Sequence, residues 1–426
     1  MKKKPDQLRI NAEYQEDARG LMFFDEQTAK ITDLSGVRLL HCGVDTVRQL
    51  YRGVVRPEVL AIFDEKPGLV TFAGYRWHSG RVSRDSGYQY KLQNADLGLI
   101  LLIKNFNSKA DSFGTHLKIE VSPHAVDGRS PARLQDQLDH LAGEVLSNAE
   151  RNQCAVHIAL DVQGWVPPAD FQARLHCKAQ SQRRLDGVKS LGWEETSAVY
   201  GRGQSFLFGS AGGLQLAVYN KTLQARSIDK LDYWEGVWRR RDSFDECDPL
   251  NYDPAQPVFR IELRFHHSIV AQFASGSCSV HDGDFLNTHD FDGIAPHLDG
   301  LFQYGLENFR YLSRPGQFDP FWSLLRQDAC VSVEVDSLLD ETHYKRHYKT
   351  ARGFSGKSVD LLMGNFISLA ARHQIGAKKA FEAIQQLPVW PVILDHYQSK
   401  ELTVRDIYKK IKESLEERNV RWGMAV

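Results

Sequence analysis

Four short segments limit the fold more than any other feature of the chain: HLKIEVSP, AVHIALDVQ, LQLAVYNK and VFRIELRF. Side chains alternate between the two faces of a strand, so residues i and i+2 point together. By that rule Lys118 pairs with Glu120, and His157 lines up with Ala159 and Asp161. Ala217, Tyr219 and Lys221 form a third set, and Arg260, Glu262 and Arg264 a fourth. The opposite positions, such as Val156, Ile158, Leu160 and Val162, are apolar. Each segment therefore buries one face and turns ionisable groups out on the other, as strands of a sheet covered on one side do.

The surrounding chain agrees with that reading. Residues 31–125 hold short β-rich runs broken by Gly, Asp, Asn and Pro: GVRLLHCGVDTV, GLVTFAGYRW, GYQYKLQ, LGLILLIKN and THLKIEVSP. From Ser130, Leu134, Leu138, Leu141 and Val145 recur at helical spacing. Gly209, Gly212 and Gly213 separate SFLF from LQLAVY and predict a hairpin. Beyond residue 300 the periodicity is helical, most clearly in TVRDIYKKIKESLEER, where Thr403 and Asp406 resemble a capping box and Val404, Ile407, Ile411 and Leu415 form a stripe. The expected architecture is α+β: a mostly antiparallel sheet carrying an active face, helices on the other side, and a helical C-terminal region. The expected divisions are a loose segment at 1–30, a catalytic domain at 31–300 and a mainly helical region at 301–426.

Composition narrows the class of protein. No apolar run reaches the roughly 20 residues needed to span a bilayer, and the polar N-terminal stretch is unlike a secretory signal. The six cysteines form no CxxC, which argues against a zinc ribbon or a disulfide scaffold and for reduced thiols in the cytoplasm. Net charge is −1, so any polyanion footprint must be local. Residues 171–241 carry twelve Lys/Arg against six Asp/Glu, and residues 242–258 carry five acids and no base. Such a basic patch beside an acidic loop can steer a polyanion.

If the four segments are neighbours, one face gathers a histidine, three carboxylates, a tyrosine and several bases. A merely solvated sheet face would also alternate in this way. The carboxylates amid basic groups instead suit a site that holds a metal and a phosphate together. Phosphodiester cleavage by Tyr219 would need help, because a phenol titrates near 10. Lys221 is placed to favour the phenolate or to hold a phosphate oxygen, and Asp161 and Glu262 are hard ligands for a divalent cation such as Mg or Mn.

These stretches resemble the replication initiators of rolling-circle plasmids of the staphylococcal type, whose relatives include factors of filamentous phages and conjugative elements. SFLFGSAGGLQLAVYNKTLQ is similar to that family's turn, strand and tyrosine segment, which puts the nicking tyrosine at Tyr219 and its lysine at Lys221. FRIELRF places the metal-binding glutamate at Glu262. AVHIALDVQ puts an aspartate at Asp161 but His157 where the family has another aspartate, and LKIEVSP adds Glu120. The resemblance, over residues 38–300, implies nicking of one strand of a double-stranded origin at a locally single-stranded site. It further implies a 5′-phosphotyrosine link, a 3′-hydroxyl primer, a homodimer and a host helicase. Arg202, Arg226, Arg239, Arg240, Arg260 and Arg264 are the candidate DNA contacts.

Rival readings stay open. No histidine pair flanks a single aliphatic residue, which excludes the commonest relaxase signature. HYKR at 343–346 offers one element of a metal-free tyrosine recombinase, and a non-catalytic DNA-binding control protein would use the same face. HDGDFLNTHDFDGIAPHLDG reads as a polar loop rather than a metal cluster, and ARGFSGKS lacks phosphate-loop spacing. Tyr88, Tyr90, Trp165, Trp193 and Trp234 are candidates for base stacking or for ordinary packing.

Overall fold

In the computed structural model, the described residues are 7–10, 22–25, 30–82, 86–178, 182–186, 204–239, 252–274, 278–279, 287–331, 342–344, 356–400 and 402–423. The chain divides into two compact units, Met1–Lys345 and Arg346–Val426. The first unit thus runs well past residue 300.

The first unit is built on an eleven-stranded sheet. Its strands are β1 Arg38–Val55, β2 Leu69–Phe72, β3 Tyr75–Arg81, β4 Tyr88–Asn94, β5 Leu99–Asn105 and β6 Gly114–Val121, followed by β7 Leu146–Gln163, β8 Gln182–Asp186, β9 Gln204–Phe208, β10 Leu214–Asn220 and β11 Val258–Phe265. The spatial order is β8-β9-β10-β11-β7-β1-β6-β5-β4-β3-β2, and every pairing is antiparallel. GLVTFAGYRW, which reads as one run, is a hairpin: Ala73 and Gly74 both take positive φ between β2 and β3. The expected turn at Gly209–Gly213 joins β9 to β10, with Gly209 at φ +98°.

Helices cover the apolar face. The helix α1, Pro131–Val145, starts at Ser130, whose side chain accepts from Arg133 N, and buries Leu134, Leu138, Leu141 and Val145 against that face. A second, Leu298–Asn308 (α5), lays Leu298, Leu301 and Phe302 into the same core. It approaches β11 so closely that a Cβ on Gly305 would lie 2.4 Å from Leu263. Because residues 298–328 supply core side chains such as Phe321 and Trp322, they belong with the sheet and not with the helices that follow. Between these lie α2 Lys221–Ser227, α3 Leu231–Trp238 and α4 His267–Phe273, and α6 is Pro320–Asp328.

The second unit is helical: α7 Gly356–Arg372, α8 Ala377–Gln385, α9 Trp390–Gln398 and α10 Val404–Gly423. Thr403 and Asp406 form the reciprocal cap, with Thr403 N donating to Asp406 and Asp406 N to Thr403 Oγ1. Ile407, Ile411 and Leu415 are buried as the stripe requires, while Val404 is exposed. No helix among the described residues is long and apolar enough to cross a membrane.

Candidate metal and phosphoryl site

The site lies on the face of the sheet away from α1, across β10, β11, β7 and β1. Register fixes its layout in rungs. One rung is Tyr219–Arg260–Asp161–His41, the next Ala217–Glu262–Ala159–Gly43, and the third Gln215–Arg264–His157–Thr46. The middle rung is small on both sides of Glu262, which leaves room for Tyr219, His157 and Arg264 to reach its buried carboxylate. Between the pairs Ile158–Val44 and His157–Thr46, β1 carries one extra residue, Asp45. A bulge of this kind re-aims a side chain, and here it brings Asp45 to the same face as Gly43, Thr46 and Arg48.

Asp45, His157 and Glu262 each offer one donor atom, and the three donors lie within 4.8 Å of one another. Ligands on one ion sit up to roughly 4.4 Å apart, so this is the scale of a single coordination shell. Burial holds the His157 pKa below its usual value, the Glu262 hydrogen bond opposing but not overcoming it, which keeps the ring neutral and able to ligate. Burial raises the Glu262 carboxyl, but Arg264 and His157 outweigh that and keep it ionised. Two carboxylates and one neutral imidazole are a donor set suited to a divalent cation. The protein carries a buried site able to hold a metal ion, as a metal-dependent enzyme would.

Bases surround these acids. Arg264 donates to both oxygens of Glu262, at 2.8 and 3.1 Å, and His157 Nδ1 is 3.2 Å from Glu262 Oε1. Arg260, fully buried, reaches Asp45 through Nη1. Lys221 Nζ lies 4.0 Å from Asp45 and 4.3 Å from the centre of the Trp234 ring. Burial and the Arg260 charge lower the Lys221 pKa to about 7.

The tyrosine sits at the edge of this group. The Tyr219 hydroxyl donates to Glu262 Oε2 at 2.9 Å. Burial, with the Glu262 charge, raises its pKa well above 10, so the resting group is the phenol. Strand β10 ends one residue later, because the Asn220 side chain accepts from Leu223 N and caps α2. Thr222 Oγ1 accepts from Val258 N and ties that turn to β11. Lys221 therefore meets Tyr219 from the first turn of a helix, not by strand alternation, with Nζ 6.0 Å from the phenol ring centre.

Two expected ligands are placed elsewhere. Asp161 is fully buried beneath α3, accepting from Arg260 Nε at 2.6 Å, Arg260 Nη2 at 2.7 Å and Trp238 Nε1 at 2.8 Å. Three donors grip it, and the group of donors able to hold an ion contains Asp45 in its stead. Glu120 lines the same cavity but faces Arg48 Nε at 3.1 Å and Lys118 Nζ at 3.3 Å, outside the donor group. Arg260 cannot touch DNA, being fully buried over the face of Trp234. Arg264 is engaged with Glu262, Arg226 is exposed at the end of α2, and Arg239 pairs with Glu235. Arg202 and Arg240 lie outside the described residues, as does Trp193. The other stacking candidates pack: Trp165 stacks on Phe321, Tyr90 on Phe63, Tyr88 is buried, and Trp234 underlies the two cations. Cys42, Cys154, Cys177 and Cys330 are not joined in disulfides.

A cavity of about 590 Å³ opens from the triad and Tyr219 along the sheet toward Arg48, Gln93 and Glu120. The arrangement gathers a buried phenol hydroxyl, three donors able to hold a metal ion and several cations around one cavity. No family model matches the sequence, and no solved structure matches the chain. Over 421 residues, covering 98% of this chain and 97% of the relative, it is 53% identical to a protein of Pseudomonas phage Pf1 described as uncharacterized protein ORF430. With that identity over almost the full length of both proteins, the chain belongs to the family of the Pf1 protein.

Proposed function

We propose that this protein is a replication initiator that nicks one strand of origin DNA, using Tyr219 as nucleophile at a divalent-metal site, with Mg or Mn as the ion. The observation that carries the reading is the Tyr219 hydroxyl 2.9 Å from Glu262, itself one of three clustered donors. The resemblance of the strand and tyrosine segment to rolling-circle initiators supports it, and phage factors are among that family's relatives.

In the proposed step the Tyr219 hydroxyl gives up its proton to water as its oxygen attacks phosphorus, the bond to the 3′ oxygen breaks, and that oxygen takes a proton back from water. The 5′ phosphate stays esterified to the protein, and the 3′-hydroxyl is left for a polymerase. Asp45, His157 and Glu262 would hold the ion, which supplies Lewis acidity at a phosphate oxygen and offsets the Glu262 charge that now keeps the phenol protonated. Lys221, with its ammonium beside the phenol ring, is placed to bind a non-bridging oxygen. Arg264 orients Glu262. Homodimerisation and recruitment of a host helicase belong to the same proposal.

The test is nicking of supercoiled DNA carrying the origin of the parent genetic element, with Mg²⁺ or Mn²⁺, followed by detection of protein on the 5′ end. Tyr219→Phe should abolish the adduct, and Glu262→Ala should lose metal-dependent cleavage. An adduct formed by Tyr219→Phe refutes the nucleophile. Binding without any adduct by the wild-type protein favours a control protein instead, and adduct formation that survives chelation favours recombinase-like chemistry.

A further inference from the structure

One rung beyond His157 the cavity floor holds the row Ala155–Arg48–Glu120–Ile100–Gln93, drawn from β7, β1, β6, β5 and β4. Arg48 is unusual in this row. Its Nε is 3.1 Å from Glu120 Oε1, yet too poorly aligned for a hydrogen bond, and that atom is buried without an acceptor. An arginine has five N–H donors, and leaving a buried one unused is costly. The side chain is nonetheless 23% exposed, toward the cavity it lines. Glu120 holds the guanidinium in place by charge, and the exposed part of the side chain is what an anion in the cavity would meet.

Two cations flank the path an anion would take. Arg264, beside Glu262 and Tyr219, and Arg48 stand one rung and two strands apart in the same cavity. With about 6.7 Å between same-face positions and about 4.8 Å between strands their Cα atoms are roughly 12 Å apart, a span that two arginine side chains leaning toward each other can narrow to the separation of successive phosphates. The enclosure, at about 590 Å³, takes a nucleotide or so and is too small for a duplex. We propose that Arg48, positioned by Glu120, binds the phosphate next to the scissile one, so that the cavity takes an unpaired strand across two successive rungs. The proposal rests on the nicking reading for which phosphate is cut, but the binding contact is testable apart from it.

The test measures binding of a fluorescent ten-nucleotide oligothymidylate to the full-length protein in EDTA, by anisotropy over a range of NaCl. One lost phosphate contact on a single strand lowers the slope of log K against log salt by about 0.7. Arg48→Ala should show that change and bind about tenfold more weakly at low salt, while Arg48→Lys keeps the slope. Glu120→Gln removes the competing anion and should tighten binding by about three- to tenfold, an outcome that a damaged fold does not produce. An unchanged slope in Arg48→Ala, weaker binding in Glu120→Gln, or no binding by the wild-type protein overturns the assignment. A wild-type adduct together with an unchanged Arg48→Ala slope sinks this contact alone. Salt-dependent binding through Arg48 without any adduct sinks the nicking reading alone.

Discussion

Replacing Asp161 with alanine separates a structural carboxylate from a metal ligand. The substitution removes acceptors for two guanidinium donors and the Trp238 indole, all in a fully buried position. Breaking a buried ion pair by removing one partner costs about 3–5 kcal/mol, because the remaining charge is stranded. Arg260 keeps one acid partner, Asp45, so the lower end applies, about 3 kcal/mol. At about 2.1 cal/mol/K of unfolding entropy per residue, a unit as long as Met1–Lys345 loses roughly 1.4 °C of Tm per kcal/mol, so a fall of about 4 °C is expected. Differential scanning calorimetry in EDTA measures it. Asp45→Asn, at a part-exposed position, should shift the melt far less. If Asp161→Ala melts like the wild type while Asp45→Asn does not, the roles of the two aspartates are reversed from those argued here.

Other perturbations probe the same arrangement. Adding Mn²⁺ at about a hundred times its dissociation constant should stabilise the wild type by about 2.7 kcal/mol. EDTA or Asp45→Asn should abolish that gain, and retention by Asp45→Asn would remove Asp45 from the ligand set. Lys221 has its folded pKa lowered to about 7 by burial and Arg260. Between there and its unfolded value near 10.4 the unfolded chain binds the extra proton, so stability from this group rises with pH across that window, by at most about 1.4 kcal/mol per unit. Lys221→Met should flatten that rise in denaturant melts from pH 7 to 10, and an unchanged slope refutes the buried-ammonium account. Gly164 takes φ +77°, and a Cβ there would lie 1.9 Å from the Gly36 carbonyl oxygen. Gly164→Ala should therefore cost more than about 3 kcal/mol in chemical denaturation, since strain and clash act together.

The site face was legible where side chains obey a period of two. Alternation alone puts Tyr219, Glu262 and His157 on one side of the sheet, and the register bears this out, with Ala217, Glu262 and Ala159 in one row. The same rule failed for Lys221, which left the strand at a capped turn and yet returned to the tyrosine. For Asp161 the rule held, since it lies on the expected face, but sharing that face did not bring it into the donor group. Nothing within AVHIALDVQ reveals that Trp238 of α3, over seventy residues later in the chain, folds across that end of β7 and donates to the buried Asp161 carboxylate.

Asp45 was missed for the opposite reason. GVDTV looks like an ordinary strand with one charged position, and alternation treats Asp45 and Thr46 as facing apart. The bulge cancels that separation and sets both on the cavity wall. A strand count cannot see an inserted residue, because the extra position shows only against the partner's register. The lone acid in an otherwise apolar run was the available signal. Its physical meaning is that burying a carboxylate inside a sheet is tolerated only where cations or a metal meet it. Arg260 and Lys221 meet Asp45 from one side, and His157 and Glu262 leave room for an ion on the other. The bulge is thus what converts a pair of strands with complementary charges into a three-donor seat, and straightening it would dismantle the seat while leaving every ligand residue in place.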